Sequence, residues 1–297
     1  MLTGKLLKKV IAFTVTVTLC LSFKAYSSNY KPEIVISKEP SNYDFDGEVL
    51  KYRLYWTIFH VADSESKVER IGEGRLKIWG RASTAGIASW FQRISDEGYS
   101  IWNEKTLCPE RTYIFQKEGD YERNRVYTYD LRRKIVKYEK IHPKKKKVQI
   151  KFIKIPFLPF EDIVTATFFF RKYGIFKVGK TTVFPLFAGG RFQNVSFKVV
   201  DKRKIDTLFG KIEAYKVIPS NNLSPEGAFK RKGKVVFWFS ADERHIPIKV
   251  VAEVAIGSVS AVLVKAKGKN FDLEKEMEKK KRENLIEKLM SGEFGGE

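Results

Sequence analysis

From Val49 onward apolar side chains recur at every second position over short runs, with turn residues between the runs. Leu50, Tyr52, Leu54 and Trp56 form one such row, and Leu76–Ile78, Tyr99–Ile101, Tyr113–Phe115, Tyr127–Tyr129 and Val148–Ile150–Phe152 repeat the pattern. A period of two places each row on one face of a β-strand. Further β-branched and aromatic runs lie at Val195–Val200, Ile212–Ile218, Val235–Phe239, Ile248–Ile256 and Val259–Val264. The expected fold is mainly β: a curved antiparallel sheet or partly open β-barrel of roughly ten or more strands, because so many strands curl or close rather than stay flat.

Two segments read as helix. Glu161–Arg171 predicts one short internal helix, with Asp162 as its cap after Pro159, although Thr165, Thr167 and the Phe168-Phe169-Phe170 run also suit a strand. Asp272–Met290 predicts a C-terminal helix in which Leu273, Met277, Leu285 and Ile286 sit among many Lys and Glu. Its apolar stripe breaks over Glu278–Glu283, which leaves docking and a solvated tail both open. The expected organisation is a leader at 1–27, an extended lead-in at 28–45 containing Pro32 and Pro40, a β domain at 46–268 and a charged helical tail at 269–297.

The leader follows from its own pattern. Lys5, Lys8 and Lys9 precede an apolar run from Val10 to Phe23, and Ala25-Tyr26-Ser27 supplies small residues at cleavage spacing. The run falls short of the roughly 20 residues a membrane span needs. The expectation is a periplasmic or secreted protein cleaved near Ser27. Cys20 follows Leu19 rather than a small residue, which argues against a lipid-attachment site. Removal of the leader leaves Cys108 as the single cysteine, so no internal disulfide forms, and its flanks Leu107 and Pro109 suggest a buried apolar thiol.

With 23 Phe, 13 Tyr and 5 Trp in 297 residues, the chain has the apolar area for a packed core rather than disorder. Its formal charge is +21, and the leader accounts for only four of the lysines. Lys144, Lys145, Lys146 and Lys147 follow Ile141-His142-Pro143 and precede an alternating strand, which makes them a hairpin tip. They are candidates for contact with an anionic surface, or simply a soluble turn that protects a sheet edge. Export argues against a nucleic-acid partner.

Gly174-Ile175-Phe176-Lys177-Val178-Gly179-Lys180-Thr181 satisfies the letters of a nucleotide-binding P-loop. Its context does not: a P-loop feeds a helix whose N-terminus holds phosphate, whereas Thr182-Val183-Phe184-Pro185 is β-branched and ends in proline. A turn between two strands is expected, and no nucleotide. His60, His142 and His245 stand too far apart for a preformed zinc site, and no nucleophile elbow is present. The acid pairs Glu161-Asp162 and Asp242-Glu243 suit solvated turns and caps better than acid–base chemistry. No cofactor and no catalytic residue are expected.

Four strings, in this order, resemble a known family. Gly47-Glu48-Val49-Leu50-Lys51-Tyr52 with Trp56, Glu161-Asp162-Ile163 leading to Phe169-Phe170-Arg171, Gly210-Lys211-Ile212-Glu213-Ala214-Tyr215-Lys216-Val217, and Trp238-Phe239-Ser240-Ala241-Asp242 with Arg244 and Ile246-Pro247-Ile248-Lys249 look like the DUF3108 family of exported bacterial proteins. The resemblance spans about residues 45 to 265. It implies a periplasmic β-rich domain and supplies no reaction. Independently of it, Asp242–Arg244 reads as a hairpin turn, with Pro247 at a strand start where its missing N–H does no harm.

Two functional classes fit. The first is a non-enzymatic binding or carrier protein for an amphiphile such as a lipid or envelope glycolipid, held in an apolar cavity of at least about 300 Å³. Trp90, Phe91, Phe157, Phe160 and Phe169 are the candidate lining, and ordinary core is the simpler explanation of each. The second class is a cell-envelope assembly or structural factor that docks a protein partner through strand edges.

Overall fold

The computed structural model describes residues 31–86, 88–91, 93–143, 147–219, 235–254 and 257–290, without the side chains of Phe91 and residues 284–290. The expected leader and Lys144–Lys146 lie outside the described residues. The strands are β1 (Val49–Trp56), β2 (Phe59–Gly72), β3 (Arg75–Thr84), β4 (Ser95–Asn103), β5 (Cys108–Glu118), β6 (Tyr121–Asp130), β7 (Ile135–His142), β8 (Lys147–Lys154), β9 (Glu161–Asp162), β10 (Thr181–Ala188), β11 (Arg191–Thr207), β12 (Gly210–Pro219), β13 (Val235–Ser240), β14 (Pro247–Glu253) and β15 (Ser258–Lys267). The helices are α1 (Ala88–Phe91), α2 (Thr165–Tyr173) and α3 (Leu273–Met290). Among the described residues no helix is long and apolar enough to cross a membrane.

All 15 strands join one unclosed sheet in the order β8-β7-β6-β5-β4-β3-β2-β1-β15-β14-β13-β12-β11-β10-β9. The β9–β10 pair is parallel and the other neighbours are antiparallel. The alternation expected from sequence is met: β1 buries Leu50, Tyr52 and Leu54 and exposes Lys51 and Arg53. Register shifts at Lys51/Tyr52, Leu54/Tyr55, Ile101/Trp102 and Val199/Asp201 add local bend and twist. At Gly98 an added Cβ would lie 2.6 Å from the Tyr113 carbonyl oxygen, so β4 and β5 approach this closely only with glycine there.

Curling brings the two halves of the sheet face to face. Inner residues of β2–β4 (Val68, Leu76, Ile78, Trp102) pack in one cluster with those of β10–β13 (Phe184, Leu186, Val195, Val199, Phe239), and α2 fills the space between them with Phe168, Phe169 and Phe170. The free edges β8 and β9 are joined by residues 155–160. There Phe160 stacks edge-on against Phe192 (5.1 Å) and Tyr129 (5.5 Å), while Tyr127 and Tyr129 meet Phe187 at 5.6 and 5.8 Å. Burying each such ring contributes about 1.5–3 kcal/mol. Aromatic packing therefore joins the two flanks of the open seam.

Several expectations are corrected. The internal helix begins at Thr165, because Glu161 and Asp162 pair with Leu186 and Phe187 of β10 instead. Asp162 does cap it: its Oδ1 accepts the N–H groups of Val164 and Thr165, each at 2.8 Å, and its own N–H donates to Thr165 Oγ1 at 2.9 Å. Both acids are buried, not solvated. The P-loop-like string links α2 to β10 rather than two strands; Gly174 ends the helix, and a Cβ there would collide with the Phe170 carbonyl oxygen. The lead-in is extended and packs, with Val35 bridging Val183 and Phe45 buried. Cys108 is buried as expected, and burial pushes its thiol up to about 12, so it stays protonated.

Candidate functional site

Of the residues expected to line a cavity, Phe160 and Phe169 are buried core and Phe157 is half-buried against Phe192. Phe160 lies in the seam between the sheet flanks, whereas Phe169 packs inside the barrel against Phe184 at 4.8 Å. Trp90 stands on α1 with 86% of its surface exposed, and the Phe91 side chain lies outside the described residues. They do not converge. A separate apolar cavity of about 110 Å³ lies between α2 and the sheet, lined by residues including Leu50, Ile78, Phe168, Phe237 and Val250. That is below the size of a usual ligand site.

A larger concavity lies at the lower rim, where β12 begins and β13 ends. This open groove of about 600 Å³ has an apolar floor of Phe209, Ile212, Ile246, Ile248, Leu273 and Met277. Lys211, Lys280 and Lys281 stand around it, with Glu213 and Glu276. Alternation on β12 and β14 supplies Ile212 and Ile248. The first turns of α3 form the opposite wall, because Leu273 is buried against the cluster of Leu50, Tyr52 and Leu263. The tail left open by its sequence pattern is thus docked at its start.

The β13–β14 turn holds this wall in place. Ser240 Oγ donates to Asp242 Oδ1 at 2.8 Å and accepts the Ile246 N–H at 2.7 Å. Arg244 donates to Asp242 Oδ2 at 2.6 Å and reaches Glu276 of α3 at 3.0 Å, with its guanidinium over the Phe271 ring at 4.7 Å. Burial pushes the Asp242 carboxyl up, but hydrogen bonds and charge from Arg244 outweigh it and hold the group below its ordinary value. This turn is the hairpin expected from the sequence.

Beneath it lies a buried ion pair. Arg171 of α2 donates two hydrogen bonds to Glu48, at 2.7 and 2.6 Å, and two more to the Arg244 carbonyl oxygen, at 3.1 and 3.0 Å. Tyr43 O–H donates to Glu48 Oε2 at 3.0 Å, and the guanidinium lies 4.7 Å from the Phe45 ring centre. His245 completes the support: its Nδ1 lies 2.9 Å from the Arg171 carbonyl oxygen and its ring stacks on Phe176 at 3.6 Å. Burial lowers the His245 pKa, which favours the neutral ring. Arg171 therefore ties the helix inside the barrel both to the start of β1, through the bidentate pair with Glu48, and to the turn that walls the groove, through the Arg244 carbonyl oxygen.

A second polar centre sits under the start of α2. Asp162 Oδ2 accepts from Ser100 Oγ at 2.6 Å and from Thr112 Oγ1, and Tyr129 O–H lies 3.1 Å from that Thr112 oxygen. Beside it both Glu161 carboxyl oxygens are buried without a hydrogen-bond partner, as is Trp102 Nε1. Burial raises the Glu161 pKa well above its ordinary value; Thr165 and Trp102 oppose this from nearby without reaching hydrogen-bond geometry. Burial therefore favours the neutral, protonated form of Glu161 inside the barrel. The sequence alone shows no role for Glu48 or Arg171 and suggests a solvated turn or cap for Glu161, since their partners are far away along the chain.

No curated protein matches this chain. Among solved structures it is similar to a β-barrel-like protein of domain of unknown function DUF1849 from Brucella abortus, at 9% identity and TM-score 0.48 over 76% of this chain and 99% of that one. It is also similar to a protein described as exported, with a YmcC-like fold, from Bacteroides fragilis, at 11% identity and TM-score 0.31 over 75% and 96%. A third, described as a lipoprotein, from Parabacteroides distasonis, has 9% identity and TM-score 0.27 over 75% and 95%. The family profile for a protein of unknown function, DUF3108, matches residues 51–264, which is most of the β domain, and the chain belongs to the DUF3108 family.

Proposed function

We propose that this is an exported, non-enzymatic binding protein for an anionic amphiphile, held in the groove between β12, the β13–β14 turn and α3. The observation that carries the reading is the pairing of an apolar floor with Lys211, Lys280 and Lys281 in a groove of about 600 Å³. Ligand sites typically combine apolar walls with a few placed charges. The floor takes an acyl chain and the lysines take a carboxylate or phosphate head. The leader pattern supports export. Protein purified from the envelope should bind a fluorescent fatty-acid probe saturably, and Lys211→Glu, Lys280→Glu and Lys281→Glu together should weaken it at least about fivefold. Absence of saturable binding, or unchanged affinity in the triple variant, would refute the reading.

A second reading rests on β8, whose outer edge has no strand partner among the described residues and whose Val148, Ile150 and Phe152 are exposed on one face. Such an edge accepts an added strand. Under this reading the protein is an envelope assembly factor, and Ile150→Asp with Phe152→Asp should abolish a complex seen on native gels of the envelope fraction. Persistence of the complex in that variant would count against it.

A further inference from the structure

The face of β5–β8 that lines the aromatic seam also carries a set of cations that neither the core nor the groove uses. Arg125 lies opposite both Ile114 and Lys140, Arg123 lies opposite Gln116, and Lys151 lies opposite Tyr138. Directly opposed residues share a face of the sheet, and this face is the inner one, because Ile114, Tyr127 and Tyr138 pack on it against Phe187. Strand geometry puts Arg123 and Arg125 about 7 Å apart along β6 and Lys140 about 5 Å across from Arg125, with Lys151 on the next diagonal. The charges are answered unevenly. Burial raises the carboxyl pKa values of Asp96 and Glu118 on the neighbouring strands, and the Arg125 charge opposes that rise in both. No ion pair reaches Arg123, Lys140 or Lys151 among the described residues. Instead, partial burial and then the like charges of Arg123, Arg125 and Lys151 lower the Lys140 pKa. The Tyr121 ring, centred 4.6 Å from the guanidinium, holds Arg123 in place, and Arg123 Nε is buried without an acceptor. Arg123, Arg125 and Lys140 are half-buried and Lys151 is exposed, so the patch is open to solvent on one side and walled by the sheet on the other.

We propose that this patch binds a phosphate dianion, free or as the head of an ester, with Arg123, Lys140 and Lys151 as its direct contacts and Arg125 linking it to the acids behind. Charge complementarity selects that occupant. Four cations, Arg123, Arg125, Lys140 and Lys151, less the two acids Asp96 and Glu118 leave two positive charges when both acids are ionised, and one phosphate dianion matches them, whereas a carboxylate leaves one unanswered. Guanidinium and ammonium groups are the donors that phosphate recognition ordinarily uses, the first as a planar fork and the second as a point charge. The position on the inner, concave face admits a small group that reaches between the strands and disfavours a flat surface. The site shares no strand with the groove between β12 and the β13–β14 turn, and does not depend on the ligand reading made for that groove.

The test is titration calorimetry on protein purified from the envelope and dialysed into phosphate-free buffer of fixed ionic strength. The probes are inorganic phosphate, soluble dihexanoyl phosphatidic acid and, as the monoanion control, acetate. Saturable one-to-one binding of a phosphate probe is expected, with none for acetate over the same range. Inorganic phosphate binding would identify a free phosphate as the occupant, and binding of the phosphatidic acid alone would identify a lipid headgroup. Lys140→Gln with Lys151→Gln should weaken the affinity at least about tenfold, and Lys151→Gln alone, at an exposed site that leaves folding intact, at least about threefold. Without ligand the double variant should melt at the same temperature or higher, because it relieves like-charge crowding. The groove variant Lys211→Glu/Lys280→Glu/Lys281→Glu should keep its phosphate affinity, which separates this inference from the groove reading. No saturable binding of either phosphate probe, equal binding of acetate, or unchanged affinity in the lysine variants would overturn the proposal. A lower melting temperature in the ligand-free double variant would also overturn it, by marking the lysines as structural.

Discussion

Replacing Asp96 by asparagine should stabilise the protein, and should do so only above acidic pH. Asp96 lies on the inner side of β4 with 3% of its surface exposed, and burial raises its pKa from 3.8 to about 7. The Lys117 N–H donates to its Oδ1 at 3.0 Å, and the Glu118 charge pushes the pKa further up. A carboxyl whose folded pKa is raised binds its proton more tightly in the native state. The stability it lends is full below pH 3.8 and is lost as pH climbs toward about 7. Three units at about 1.4 kcal/mol each give a loss of about 4 kcal/mol by pH 8, as an upper figure. Asparagine retains the acceptor for Lys117 and removes the ionisation. Urea unfolding at about pH 4 should therefore find the two proteins nearly equal, and at about pH 8 should find Asp96→Asn more stable by about 2–4 kcal/mol. Comparing the pair cancels groups that do not act on Asp96, such as the lowered Asp242, whereas Glu118, whose charge helps raise the Asp96 pKa, shares in the difference. An equal difference at both pH values, or a less stable variant at pH 8, would refute the reasoning.

Arg171→Met, which strands Glu48 without its buried partner, should cost about 3–5 kcal/mol in urea melts and should loosen the β13–β14 turn, seen as faster amide exchange at Arg244 and Ile246. Leu273→Ala should cost about 2–4 kcal/mol because it opens the docked first turn of α3, whereas truncation after Lys281 should leave the melting temperature unchanged. Phe170→Ala, inside the barrel, should cost about 3–5 kcal/mol by calorimetry or urea. Cys108 should react with a thiol reagent only in denaturant; rapid modification of the native protein would contradict its burial.

The β architecture was legible because most strands have one face inward, and a half-buried strand writes its period of two directly into the sequence. The β13–β14 turn was legible for a different reason: Asp242, Arg244 and Pro247 are local devices. The plug helix was harder to place. Thr165, Phe168, Phe169, Phe170 and Arg171 are all buried, so α2 lacks the polar face that makes a helical period visible. Its start was misjudged because Glu161 and Asp162 look like surface residues, and only the parallel pairing with β10 takes them inside. The groove escaped sequence reading altogether, since Phe209, Ile248 and Met277 come from three elements that meet only in the folded chain. Trp90 shows the converse: an aromatic in an uncharged stretch looks like core or cavity wall, yet the short α1 turns it outward.

The pairing of β1 with β15 has a consequence for how the chain reaches its folded form. Every other antiparallel neighbour in the sheet is adjacent in sequence and can zip as soon as a hairpin is complete, but this central ladder unites the first strand with the last. Non-local closure of this kind is slow, because the loop entropy must be met before the contacts form. A chain threaded through a secretion channel from its N-terminus would have to wait for residues near Lys267 before locking the middle of its sheet, so it would stay unlocked, and able to thread, until translocation is nearly finished.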